Sequence, residues 1–224
     1  MGCERYDRHL PIDENRRGNS MPPQKSTEAR RLPQRQRGRE RVAALLEAAA
    51  ACFVEKGYDG ATMTEIAARA GASIGSLYQF FPTKEALAHA LIEDYAQALF
   101  GEVAKLAERS EDLDTNELSV RLSMFLITFR KRHPAFVMLV ESGPVPAADG
   151  MSIRRRLRAE LQALLTRRAP HRSAEDMYAV AVTVQQMMKA AVAIQAEPGM
   201  PGRQKALSQL QDAMQLYLHG VFSE

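Results

Sequence analysis

Residues 62–84 read TMTEIAARAGASIGSLYQFFPTK, and this stretch decides the fold. Thr62 followed by Glu65 has the spacing of a capping box, and it opens a helix whose inner face is Ile66, Ala67 and Ala70. Gly71 ends that helix and Ser73 caps the next. The second helix has an apolar edge of Leu77 and Phe81 only, and at about seven residues it is too short to persist alone in water. It must therefore be held by its neighbours. Its remaining positions, Gly75, Ser76, Tyr78 and Gln79, are small or polar, whereas an ordinary bundle hairpin would repeat apolar residues there. Two short helices around a tight turn, the second offering small and hydroxyl-bearing residues near its start, are the layout that enters a DNA major groove.

Upstream, Val42, Leu45, Leu46, Ala49 and Phe53 recur at helical spacing and predict a helix over 39–56 that stops at Gly57. Before it the charge is uneven. The chain carries a net +3, but residues 1–41 hold eleven Lys or Arg against six Asp or Glu. Within 25–41, Lys25, Arg30, Arg31, Arg35, Arg37, Arg39 and Arg41 face only Glu28 and Glu40. Phosphate attraction is local and salt-screened, so this basic arm matters more than the total charge. Residues 1–38 are expected to be a disordered leader and basic arm, with Arg35, Arg37 and Arg39 reaching DNA. Residues 1–20 hold no apolar signal core, and Met21 would serve equally well as a start.

Downstream, Pro82 and Thr83 stop the short helix and open a long one, from Lys84 to about Glu108. A charged loop follows at 109–115, then a helix carrying Leu118, Leu122, Phe125, Leu126 and Phe129, closed by His133-Pro134. A short apolar segment from Ala135 to Glu141 leads into a loop. Further helices are expected at 153–168, at 174–196 behind Ser173, and at 203–221 after two Pro-Gly breaks. The fold class is all-α. An N-terminal three-helix DNA-binding domain with a helix-turn-helix, 39–85, is joined by the long helix to a larger helical body, 86–224.

The residues of this stretch closely resemble those of the tetracycline-repressor (TetR) family of bacterial transcriptional regulators. The resemblance is carried by Thr62, Ile66-Ala67, Ala70-Gly71, Ser73, Gly75, Leu77-Tyr78, Phe81 and Lys84-Glu85-Ala86-Leu87, with the approach Phe53–Gly57-Tyr58, and covers about 39–92. It implies that Thr62, Ser73, Ser76, Tyr78 and Lys84 contact phosphates, and that Thr64 and the run Ile74, Gly75, Gln79 and Phe80 lie at the bases. Two positions depart from the pattern. Ile74 stands where many relatives carry a long polar side chain, and Phe80 replaces a frequent His or Tyr.

The same resemblance implies a homodimer on a palindromic double-stranded operator, released by a small-molecule effector, with repression expected and activation the alternative. It makes the helical body, 86–224, a ligand-binding and dimerisation domain. A dimer built from the helices at 174–196 and 203–221 would supply two recognition helices. Met124, Phe125, Thr128, Phe129, Phe136, Gln185 and Met188 are the candidate effector-binding residues, Met supplying an adaptable lining and Gln185 or Thr128 a polar anchor.

Other chemistries fit the residues poorly. Gly71-Ala-Ser73-Ile-Gly75 matches a nucleophile elbow, and a hydrolase using Ser73 is the weak alternative, but the motif needs a preceding strand and a charged, Ala-rich helix stands there. Asp112-x-Asp114-x-Asn116 imitates a calcium loop, yet Glu117 and Ser123 occupy its glycine and terminal glutamate positions. The five histidines lack metal-ligand spacing, so no metal or cofactor is expected. Cys3 and Cys52 are expected to be reduced thiols of a cytoplasmic protein, and no membrane span is expected.

Overall fold

The structure is a computed structural model that describes residues 27–142 and 147–223. Nine helices make up the described residues: α1 Thr27–Gly60, α2 Met63–Arg69, α3 Ile74–Phe80, α4 Lys84–Glu108, α5 Thr115–Arg132, α6 Pro134–Ser142, α7 Ala147–Arg168, α8 Ala174–Ala196 and α9 Arg203–Ser223. The described residues fall into two units, one ending at Arg39 and the other beginning at Glu40.

Three boundaries differ from expectation. Helix α1 begins at Thr27, inside the segment expected to be disordered. Between Thr27 and Arg41 the chain is mostly Glu, Ala, Arg, Leu and Gln, all strong helix formers, and this outweighs Pro33 and Gly38. The segment after His133 is a helix rather than a short apolar run, with Pro134 at its first position, where a missing N–H costs nothing. Helix α7 starts at Ala147, ahead of the expected 153.

Gly57 breaks α1 with φ 74° and ψ 169°, a conformation open essentially to glycine alone. The chain then turns through Ala61 into α2. Leu45, Phe53, Ile66, Leu77 and Leu87, all fully buried, form the centre of the head. Removing Leu77 from water contributes about 1.5–3 kcal/mol, which is what keeps so short a helix in place.

Helix α4 belongs to both cores. At 25 residues it is about 37 Å long. Its first half places Leu87, Ala88, Leu91 and Ile92 in the head, and its second half places Ala96, Leu99, Phe100, Val103 and Ala107 in the body. In the body, α7 packs on α4 and α8, while α5 packs on α8 and α9. The short helix α6 has two working faces. Ala135 and Leu139 are buried in the head-side cluster, and Phe136 crosses the rings of Phe129 and Tyr95 edge-on at 5.6 and 5.9 Å.

Among the described residues α8 is the one helix long and apolar enough by length and composition to cross a membrane, a property that core helices of globular proteins share. In the structure it lies among α5, α7 and α9, burying Met177, Val184 and Met188 against them.

Candidate nucleic-acid interface

Helix α2 is fixed at both ends. Its capping box is complete: the Glu65 N–H donates to Thr62 Oγ1 at 3.3 Å, and the Thr62 N–H donates to Glu65 Oε2 at 3.2 Å. Glu65 also accepts from Lys56 Nζ at 2.6 Å, and Arg69, one turn on, makes a two-pronged pair with Glu55 at 2.9 and 2.6 Å. Adjacent residues of α1 thus hold both ends of α2. The Lys56 ammonium, then Thr62, hold the Glu65 carboxyl below its ordinary range. The capping box was expected, whereas the two ion pairs to α1 were not, although the four-residue spacing of Glu65 and Arg69 hints at a charged face.

Helix α3 presents what remains. Its cap, Ser73, accepts from the Ser76 N–H at 3.2 Å and keeps its own O–H. Leu77 points into the core, whereas Ile74, Tyr78 and Phe80 stand 39, 49 and 40% exposed. Gly75 and Gln79 are exposed, Ser76 is half-buried, and Thr64 on α2 is exposed. The hydroxyls of Ser76 and Tyr78 have no hydrogen-bond partner among the described residues. A Cβ built on Gly75 would meet nothing within 4 Å, so the side chain is absent there for no internal packing reason.

Two expected phosphate contacts are otherwise engaged. Thr62 donates its hydroxyl to Glu65 Oε2 at 2.9 Å, completing the cap. Lys84 turns inward, donating to the carbonyls of Tyr58, Asp59 and Ala61 at 2.9, 3.3 and 3.1 Å. An ammonium has three N–H groups, and in this structure all three meet carbonyls. The carbonyls orphaned where α1 breaks at Gly57 attract the cation more closely than solvent does. Arg37 and Arg39 are exposed. The Arg35 side chain lies outside the described residues.

The candidate effector residues do not converge. Met124, Phe125 and Thr128 line an open groove between α4 and α5, with Thr128 exposed. Phe136 and Gln185 line a separate cavity of about 150 Å³, bounded also by Leu99, Leu126 and Leu157. Phe129 and Met188 are fully buried core. Met124, Phe125, Thr128 and Phe129 share one broad face of α5, with Thr128 exposed towards one edge and Phe129 in the core at the other. Gln185 is 2% exposed and already satisfied: it accepts from Arg158 Nε at 3.1 Å and donates to the Arg154 carbonyl at 2.9 Å. It is a strut between α7 and α8 at the cavity wall.

A capped, core-anchored pair of helices with an outward polar face defines a helix-turn-helix DNA-binding protein. The family profile described as bacterial regulatory proteins, tetR family, matches residues 45–91, and that of the tetracyclin repressor-like C-terminal domain matches 114–218. The HTH-type transcriptional activator FasR of Mycolicibacterium smegmatis is 37% identical over 110 residues, 49% of this chain and 43% of that protein. The HTH-type transcriptional repressor KstR2 of the same species is 32% identical over 85 residues, 38% of this chain and 40% of that protein. The matches span less than half the length of these curated relatives. A crystal structure of a TetR-family regulator from Mesorhizobium loti superposes with a TM-score of 0.65 at 22% identity, covering 83% of this chain and 98% of that one. The chain belongs to the TetR family of bacterial transcriptional regulators.

Proposed function

We propose that this regulator binds a pseudo-palindromic operator as a homodimer and is released by a small-molecule effector. The outward face of α3, with Leu77 fully buried behind it, carries this conclusion. The head at 39–85 would insert α3 into the major groove. Ser73, Ser76 and Tyr78 hydroxyls would meet phosphates, and Thr64, Ile74, Gly75, Gln79 and Phe80 would lie against base edges. Arg35, Arg37 and Arg39 would follow the backbone or enter the minor groove.

The body at 86–224 would supply the twofold contact and the effector site. The outer faces of α8 and α9 carry exposed Ala179, Ala190 and Ala193, and exposed Ala213, Leu216 and Gly220. Small residues on both helices suit close packing against a second copy. The effector would enter the cavity beside Phe136 and Gln185. At about 150 Å³ it is smaller than the ~300–1,000 Å³ of small-molecule sites, so occupancy must enlarge it. Phe136 and Val140 of α6 line it, and the adjacent face of α6 holds Ala135 and Leu139 in the head-side core. Enlargement would therefore move α6 against α4 and change the spacing of the two heads, a coupling of about 1–3 kcal/mol.

Repression is the expected sense. Activation is the second reading, favoured by the relative named an activator, since the sense depends on where the operator lies relative to the promoter. We place the protein in the cytoplasm with its DNA. The test is footprinting of the purified chain on the DNA flanking its own gene. A protected, dyad-symmetric site of two half-sites about 34–36 Å apart is expected. Indifference to every fragment at low salt would overturn the proposal.

A further inference from the structure

We infer that the groove between α4 and α5 is a second small-molecule site, for an amphipathic carboxylate with an apolar tail. Here α4 leans on α7 and α6 while α5 leans on α8 and α9, so the two helices diverge and leave a groove of about 480 Å³. That volume falls within the ~300–1,000 Å³ of small-molecule sites. Its floor is apolar: Val120 stands 41% exposed, and Met124 and Phe125 are half-buried. Its rim is cationic. Lys105 and Arg109 lie four residues apart on α4, and Arg121 lies on α5; all three are exposed, and none has an ion-pair partner among the described residues. The one carboxylate in the lining, Glu102, is already taken by Arg132 in a two-pronged pair at 2.9 and 2.6 Å.

Like charges four apart on a helix repel mildly, and the negative end of the α4 dipole softens that repulsion, so the rim keeps its positive charge without a carboxylate partner. An exposed apolar strip beside three unopposed cations complements a molecule with a greasy body and a negative head. Arginine's planar fork matches a carboxylate. The head is assigned as a monoanion because the rim sits at the C-terminal end of α4, where Arg109 is the capping residue and the helix dipole is negative. No helix N-terminus in the lining offers N–H groups to a phosphate dianion.

The test is calorimetric titration of the full-length protein, without DNA, with decanoate, decyl phosphate and decyltrimethylammonium below their micellar concentrations. Decanoate should bind at one per chain and decyltrimethylammonium should not. Arg109→Gln and Arg121→Gln should each weaken decanoate at least tenfold, as expected for loss of a charge-assisted hydrogen bond. Arg155→Gln, an exposed arginine outside the groove, should leave affinity unchanged. Equal affinity in Arg109→Gln and Arg121→Gln would place the ligand elsewhere and overturn the assignment, as would tenfold preference for decyl phosphate. So would altered self-association of Arg121→Gln without altered decanoate binding, which would make the groove an interface between copies. Because no operator is present, failure here leaves the DNA-release proposal separately testable.

Discussion

The Lys84 ammonium lies 2.9 Å from the carbonyl oxygen of Tyr58 and 4.5 Å from the centre of the same residue's ring. With the carbonyls of Asp59 and Ala61 it closes the broken end of α1 onto the first turn of α4. The lysine belongs to the joint between the DNA-binding head and the helix that continues into the body. Burial of the Tyr58 phenol, with Glu85 nearby, pushes its pKa up to about 12, so the ring stays neutral under the cation.

Lys84→Ala should therefore act first on stability. Losing hydrogen bonds from a charged donor should cost about 1–3 kcal/mol in denaturant unfolding. Operator affinity should fall as a consequence of a loosened head, while the slope of log affinity against log salt stays at the wild-type value. A drop of about one unit in that slope would mean that Lys84 leaves the carbonyls for a phosphate on binding.

Gly75→Ala should separate folding from function. A Cβ at this position meets no protein atom within 4 Å, and replacing glycine in a helix typically gains up to ~1 kcal/mol. The variant should melt at or above the wild-type temperature yet bind operator at least several-fold more weakly, because the methyl fills the space through which the helix approaches the groove. Tyr78→Phe gives the complementary check: unchanged melting, with binding weakened about two- to tenfold on every sequence, the size of one neutral hydrogen bond. Unaltered binding in both would show that this face of α3 does not meet DNA.

Acid should weaken the head through Glu65. Lys56 and then Thr62 hold its carboxyl below the ordinary value, so it contributes stability at pH above the unfolded pKa and loses it as pH falls through the folded one. In unfolding measured from pH 7 to pH 3, Glu65→Gln should start less stable than wild type, and the gap should close as pH drops below about 4.5. A gap that stayed constant across that range would mean the carboxylate charge contributes nothing.

The head was legible because its signals are local. Thr62 and Glu65, Ser73, Gly57 and Gly71 each specify a cap or a turn within four residues, and Leu77 has only one side on which to hide. What was not legible depends on distant partners. Lys84 carries the same charge whether it faces phosphate or carbonyl, and only the broken end of α1 decides between them. The effector candidates were chosen by residue type, apolar lining with a polar anchor, and type does not tell that Met124 and Phe125 lie on a groove while Phe129 lies in the core. Lys105 and Arg109 look like ordinary solvated charges until Arg121 is brought opposite them across the same groove.

Leu216 is 74% exposed on the outer face of α9, more than any other large hydrophobic side chain among the described residues. If α8 and α9 pair with a second copy, twofold symmetry buries this side chain twice. At about 1.5–3 kcal/mol per leucine, the dimer would draw several kcal/mol from the position. Leu216→Glu replaces that gain with two carboxylates in an apolar seam, so dimer dissociation should rise at least a hundredfold. Sedimentation should find a monomer whose helical circular dichroism is unchanged, because nothing inside the protomer leans on the residue. Operator affinity should fall with it, since one seven-residue recognition helix cannot hold both half-sites. A Leu216→Glu protein that sediments as a dimer would move the interface away from α9.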